Sequence, residues 1–259
     1  MAESFAWRNK ANSTKIWGLT DRGTVREQNQ DTFHLWKEDN TAALLVCDGM
    51  GGARAGNVAS ALAAQAFTEA IQHSDAQPDQ RLTAALAQAN EQVYQRAHRD
   101  PDCRGMGTTL VAALVEGNLA HIINVGDSRA YYLSQDGIRQ ITIDHSLVQD
   151  LLQRGHITPE EARNHPNKNV ITRALGVDNK LEGDLFTQEL EPGSMLLLCS
   201  DGLSNVLEDE ELLEVALHGG TPEEGCQRLI GLALERGATD NVTAVLLAWD
   251  APEAKESEE

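Results

Sequence analysis

Ala42-Ala43-Leu44-Leu45-Val46-Cys47-Asp48-Gly49-Met50-Gly51-Gly52 predicts a strand that runs straight into a glycine turn. An unbroken apolar run of this length marks a strand buried on both faces. Asp48 sits where the strand ends, and Gly51-Gly52 permit a tight turn into a helix. That helix is expected from about Gly56, with Val58, Leu62 and Ala66 on one face. Upstream, Lys15–Thr20 and Thr32–Trp36 read as strands. Downstream, Leu82, Leu86, Ala89, Val93 and Ala97 recur at helical spacing. Thr108–Val115 and Leu119–Val125 are strands joined at Glu116-Gly117-Asn118. Ala130–Leu133 and Ile138–Ile143 form a hairpin across Gln135-Asp136-Gly137.

The rest of the chain continues the pattern. Ser146–Asn164 reads as one polar helical insert, with a capping box at Thr158-Pro159-Glu160-Glu161. Met195–Cys199 is another apolar run. Thr221-Pro222-Glu223-Glu224 opens a helix that closes at Gly237, and Val242–Trp249 is the last strand. Strands and helices come in blocks and do not strictly alternate. The expected class is α+β with antiparallel sheets.

Composition narrows the function. A chain of 259 residues with 41% hydrophobic residues can bury a core without disulfides or a structural metal. Aromatics are only 4%, so that core is aliphatic. The net charge of −19 argues against nucleic acid or an anionic membrane as the main partner, since both need a cationic footprint. From Asp201 onward 15 acids face Arg228, Arg236 and Lys255, a local −12. The first residues carry no apolar targeting core. No apolar run approaches the ~18 residues of a membrane span. Cys47, Cys103, Cys199 and Cys226 lack metal-site spacing and read as buried thiols in a reducing cytoplasm.

Three aspartates occupy equivalent places. Asp48 ends one apolar strand, Asp201 ends another, and Asp240 precedes the last. Each alone reads as turn chemistry; Asp136-Gly137, flanked by alternating strands, is that case. Together, buried strands of one sandwich can deliver such acids to one edge. Two unit charges 4 Å apart repel by ~4 kcal/mol at an effective dielectric of 20, so the cluster is tolerable when hard cations occupy it. Oxygen-only ligands suit Mg²⁺ or Mn²⁺, and a pair of such ions can hold a hydroxide aimed at phosphorus. Gly49, lacking a side chain, lets its carbonyl approach a cation. Arg26 is a candidate bidentate phosphate ligand. Asp127, in Gly126-Asp127-Ser128-Arg129, is a fourth candidate acid.

The motifs Asp21-Arg22-Gly23-x-x-Arg26-x-x-Asn29-Gln30-Asp31, Asp48-Gly49-Met50-Gly51-Gly52-x-x-x-Gly56-x-x-Ala59-Ser60, Gly107-Thr108-Thr109, Gly126-Asp127-Ser128-Arg129, Ser200-Asp201-Gly202-Leu203 and Asp240-Asn241-Val242-Thr243 follow one another in order. Together they resemble the metal-dependent Ser/Thr protein phosphatases of type 2C, the PPM family, in its bacterial form. The resemblance implies a four-layer αββα sandwich, two antiparallel sheets flanked by helices, with a flap insert at about 145–172. It implies residues 14–249 as the phosphatase domain, with an N-terminal extension at 1–13 and an acidic tail at 250–259.

It also implies roles. Asp48 would bridge two Mg²⁺ or Mn²⁺ ions, with the Gly49 carbonyl on one and Asp201 and Asp240 on the other. Asp31 would orient metal-bound water, Asp127 with Asp201 would offer a weaker third site, and Arg26 would hold the substrate phosphate. A hydroxide bridging the ions would then hydrolyse phosphoserine and phosphothreonine on proteins without a phosphoenzyme. A Ser/Thr kinase is an expected partner, and a cytoplasmic monomer is the expected state. The chain departs from animal members at Met50, where they carry a histidine proposed as general acid, and at Gln30 and Asn205, where they carry acids. All three departures fit the bacterial pattern.

Rival chemistries fit poorly. A cysteine phosphatase needs Cys and Arg separated by five residues, whereas Cys47 and Arg54 are separated by six. A phosphate-binding P-loop would need lysine where Asn57 stands. The remaining alternative is a catalytically weak phosphoprotein-binding regulator of the same fold, which would be expected to have lost a metal acid; all are present.

Overall fold

The protein, a computed structural model, is described over residues 3–7 and 14–250. The chain runs β1 (Glu3–Trp7), β2 (Lys15–Asp21), β3 (Asp31–Glu38), β4 (Thr41–Met50), α1 (Gly52–Gln72) and α2 (Pro78–Arg99). Then come β5 (Gly107–Thr108), β6 (Leu110–Glu116), β7 (Leu119–Val125), β8 (Arg129–Ser134) and β9 (Gly137–Gln140). The flap carries α3 (Leu147–Gln153) and α4 (Pro159–Arg163). It is followed by β10 (Asp184–Glu189), β11 (Ser194–Cys199), α5 (Asp201–Ser204), α6 (Asp209–His218), α7 (Pro222–Glu235) and β12 (Val242–Trp249).

All strand pairs are antiparallel. One sheet has the order β1-β2-β12-β11-β8-β9; the other runs β10-β7-β6-β4-β3, with β5 paired to the end of β4. Side-chain alternation builds four layers from these sheets. On β4, Leu44 and Val46 face β11 and β12 residues Leu196, Leu198, Val245 and Leu247 between the sheets. Their neighbours Leu45 and Cys47 face outward onto Ala59, Ala63 and Phe67 of α1 and Leu86 of α2. On the far side, Leu197, Cys199, Ala244 and Leu246 meet Leu212 of α6 and Leu229 of α7. A strand covered on both faces must be apolar at every position, so antiparallel strands here carry continuous runs. The αββα expectation holds.

Several boundaries differ from expectation. The α1 helix begins at Gly52, one turn before Gly56. Gly51 (φ +135°) and Gly52 (φ +76°) make the entry with no side-chain cap, so no polar signal marks it. The flap is not one helix over Ser146–Asn164. Gly155 adopts φ +69° and separates α3 from α4, whose Thr158 capping box forms as expected. The strand expected over Thr108–Val115 is interrupted at Thr109 and divides into β5 and β6. Within the stretch expected as an N-terminal extension, Glu3–Trp7 pairs with β2. Residues 251–259 of the expected acidic tail lie outside the described residues. All four cysteines are buried and unpaired.

Candidate active site

The acids converge because strand ends converge. Asp48 is the eighth residue of β4, Asp201 follows β11, Asp240 precedes β12, and Asp127 lies in the turn between β7 and β8. All four line one pocket of about 480 Å³, together with Gly49, Arg26 and, from the flap, Asn169 and Ile171. Asp31 does not border the pocket. It lies beneath, 7% exposed, directly opposite Asp48 in the β3–β4 register.

Backbone bonds hold Asp48 in place. Its N–H donates to Thr109 Oγ1 at 2.9 Å, and its carbonyl accepts from Thr109 N–H and Thr108 Oγ1, each at 2.9 Å. This network is why the ladder breaks at Thr109. Gly49 is needed for packing: a Cβ there would lie 2.1 Å from the Gly56 carbonyl oxygen and 2.7 Å from that of Gln30. The loop bearing Arg26 is tied down by Asn241. Its Oδ1 accepts from Gln30 N–H at 2.8 Å, and its Nδ2 donates to the Arg22 and Gln28 carbonyls at 2.9 and 3.0 Å.

Asp31 is gripped on one side only. Ser200 Oγ and Thr243 Oγ1 donate to its Oδ2 at 2.7 and 2.6 Å. Thr243 spends its proton on Asp31, so Thr20 Oγ1, 2.7 Å away, donates to Thr243 Oγ1 and in turn accepts from Asn29 Nδ2 at 2.9 Å. The other oxygen, Oδ1, is buried without a hydrogen-bond partner.

The electrostatics of the pocket follow from crowding. Burial, opposed by the Thr243 and Ser200 hydrogen bonds and reinforced by Asp201 and Asp240, lifts Asp31 to about 7. Burial, then Asp201 and Asp144, lifts Asp127 to about 8. Asp48 is pushed well up by burial and by Asp31, Asp201, Asp127 and Asp240. Asp201 rises for the same reasons, partly relieved by a hydrogen-bonding approach to Asp48 and by Arg129 and Lys168. Arg26 donates to Asp240 Oδ2 at 2.7 Å, with its side chain 54% exposed. Exposed ion pairs are worth ~0–1 kcal/mol, so this guanidinium is readily redirected.

This donor set fits hard divalent cations. It is all oxygen and negative beyond what Arg26 offsets, and beneath it Asp31 keeps one buried carboxylate oxygen unpartnered. Among the described residues no three acidic, His or Cys side chains close on a single point. Asp240 is drawn to Arg26, and Asp48 to Asp201. Mg²⁺ and Mn²⁺ tolerate such sparse protein ligation because they keep several waters.

The flap is anchored beside Asp127. His145 Nδ1 accepts from Gly126 N–H at 3.1 Å, and His145 N–H donates to the Gly126 carbonyl at 2.9 Å. Arg129 forms a bidentate pair with Asp144, at 3.0 and 2.7 Å. Thr109, Ser200, Asn241 and Thr243 stand in the quoted motifs without an assigned role, and nothing in the sequence marks Asn169 or Ile171. Ser200 and Asn241 neighbour predicted acids, and Thr243 is two residues beyond Asn241, on β12; that adjacency is the available signal.

Two face-to-face antiparallel sheets, helices outside both, and acids gathered at one end of the strands define a phosphatase of the metal-dependent protein phosphatase class. The chain belongs to the protein phosphatase 2C family, whose sequence model matches residues 22–219. It is 40% identical over 237 residues to the serine/threonine phosphatase stp of Listeria monocytogenes, covering 89% of this chain and 94% of that one. The S. agalactiae serine/threonine phosphatase structure superposes with a TM-score of 0.86 at 34% identity, covering 92% of this chain and 100% of that one. The catalytic domain of the serine/threonine protein phosphatase PstP, solved in complex with two manganese ions, gives 0.79 at 38% identity, covering 92% and 99%.

Proposed function

We propose that this protein hydrolyses phosphoserine and phosphothreonine on other proteins, with Mg²⁺ or Mn²⁺ held by Asp48, the Gly49 carbonyl, Asp201 and Asp240, and more weakly by Asp127. The observation that carries the site assignment is the convergence of four separately encoded acids on one pocket beside Arg26. When bound, the ions supply Lewis-acid charge against the phosphoryl oxygens and lower the pKa of water. Arg26, freed from Asp240, binds the phosphate and aligns it. Asp48 and Asp201 hold negative charge at the pocket floor, and Asp31 fixes the orientation of what lies above it through its hydrogen-bonded frame. Met50 offers no proton to the leaving-group oxygen.

The acidic surface opposes self-association and nucleic-acid or membrane contact, which supports a monomer acting on proteins. Among the described residues no helix is long and apolar enough to cross a membrane. Four buried unpaired thiols support a cytoplasmic setting. The substrates are products of a Ser/Thr kinase by their chemistry, and the kinase itself is a proposed substrate. The test is hydrolysis of 4-nitrophenyl phosphate and a phosphothreonine peptide with added Mn²⁺. Activity abolished by a chelator and restored by Mn²⁺ supports the reading. Chelator-resistant turnover overturns the metal assignment, and no turnover at all favours the binding-regulator alternative.

A further inference from the structure

Exposed large apolar side chains are few: among the described residues they are Val25, Ile143, Val170, Val177 and Leu185. Scattered singly, such residues need no explanation. Two of them adjoin pocket-lining residues in sequence. Val25 is 67% exposed and immediately precedes Arg26, whereas Val170 is 46% exposed and lies between Asn169 and Ile171 of the pocket lining. One comes from the loop after β2 that brings Arg26 to the opening, and the other from the flap segment that brings Asn169 and Ile171, so each adjoins in sequence one of the two segments taken here as its banks.

Both valines are displayed on fixed backbone. The loop before Val25 is pinned where Thr24 N–H and Oγ1 both donate to the Ala238 carbonyl at 2.9 Å. The Val170 carbonyl accepts from Leu147 N–H at 2.8 Å, and its N–H donates to the Asn167 carbonyl at 3.1 Å. The ordering cost of presenting these side chains is therefore met in folding and not at binding.

What passes over this opening is set by the chemistry inside it. A phosphorylated side chain that reaches the pocket belongs to a polypeptide that continues in both directions, at ~3.3 Å per residue if extended. Its neighbouring side chains must lie on the two banks. We propose that Val25 and Val170 form a split apolar rim that selects phosphopolypeptides carrying apolar side chains on both sides of the phosphorylated residue. The proposal rests on the phosphatase reading of the pocket and adds the substrate feature that the pocket itself does not read.

The test compares two phosphothreonine peptides with Mn²⁺, one flanked by leucines and one by serines, with 4-nitrophenyl phosphate as a substrate too small to touch the rim. Wild-type protein is expected to favour the leucine peptide about tenfold in kcat/KM, the effect of burying part of a valine. The Val25→Ser/Val170→Ser variant is expected to lose that preference while hydrolysing 4-nitrophenyl phosphate at the wild-type rate. Equal wild-type rates on the two peptides, or a preference that survives in the double variant, overturn the rim with the phosphatase reading intact. Failure of the wild type on all three substrates overturns both.

Discussion

Asp31 and Asp48 stand directly opposite each other across β3 and β4. Like charges in that position oppose sheet pairing, yet the fold places them there and adds Asp201 and Asp127 nearby. Both rise in proton affinity, Asp31 to about 7 and Asp48 well above the usual carboxylate range. A proton or a cation is the means by which this pair of strands closes.

The consequence is a specific pH dependence of the metal-free protein. For a carboxyl raised in the folded state, that state binds more protons than the unfolded chain between the two pKa values, so stability is lost as pH rises through that window. The unfolded value is 3.8, and Asp31 and Asp127 reach about 7 and about 8 when folded. With chelator present, the melting temperature is expected to fall as pH rises from 5 to 8, and Mn²⁺ is expected to flatten the slope. Asp48→Asn is expected to raise the chelated melting temperature at pH 8 and to lower turnover by orders of magnitude. Calorimetry across pH, with and without metal, checks the first; hydrolysis of 4-nitrophenyl phosphate checks the second. A flat chelated profile would contradict the crowding argument.

Ser200 and Thr243 lower the proton affinity of Asp31 by donating to its Oδ2. Removing either donor destabilises the carboxylate and moves its pKa up. Ser200→Ala and Thr243→Val are expected to shift the acid limb of the pH–rate profile to higher pH and to cost ~1–3 kcal/mol of stability from the buried group left short of a partner. A lower maximal rate with an unmoved acid limb would assign these hydroxyls to packing alone.

Arg26 separates binding from turnover. Its pair with Asp240 is exposed and cheap to break, and the phosphate it would hold is present in ground and transition states alike. Arg26→Ala is therefore expected to raise KM for a phosphopeptide about tenfold or more while kcat falls much less. Arg26→Lys keeps the charge but not the two-pronged geometry and is expected to recover only part of the loss. Steady-state kinetics of both variants decide this, and an unchanged KM in the alanine variant removes Arg26 from the phosphate.

The sequence makes the strand ends legible and leaves their pairing hidden. Ala42–Cys47 followed by Asp48 identifies a buried strand with an acid at its end, because an apolar run and a glycine turn are local signals. The register that sets Asp31 against Asp48 is not local. Neither are the bonds from Ser200 and Thr243 to Asp31, which span 169 and 212 residues, or that from Arg26 to Asp240, which spans 214. The edge strand β10 escaped notice for a different reason: Leu185, Thr187 and Glu189 face solvent, and alternation over six residues is a faint signal. The flap reads as one helix because its polarity and capping box are helical, while the break at Gly155 depends on a single backbone angle.

Two glycines three residues apart separate packing from conformation. Gly52 has φ +76° and open space around its missing Cβ, whereas a Cβ on Gly49 would meet the backbone oxygens of Gly56 and Gln30. Gly52→Ala then carries only left-handed strain, ~1–2 kcal/mol. Gly49→Ala must push apart α1 and the loop before β3, and backbone atoms cannot yield as a flexible side chain can. A loss of ~3 kcal/mol or more is expected, at the upper end of overpacking costs, together with weakened Mn²⁺ dependence because Asp48 moves with its neighbour. Denaturant unfolding of both variants, followed by Mn²⁺ titration of activity, checks the order. If Gly52→Ala proves the more damaging, the close approach of α1 to β4 does not set the position of Asp48.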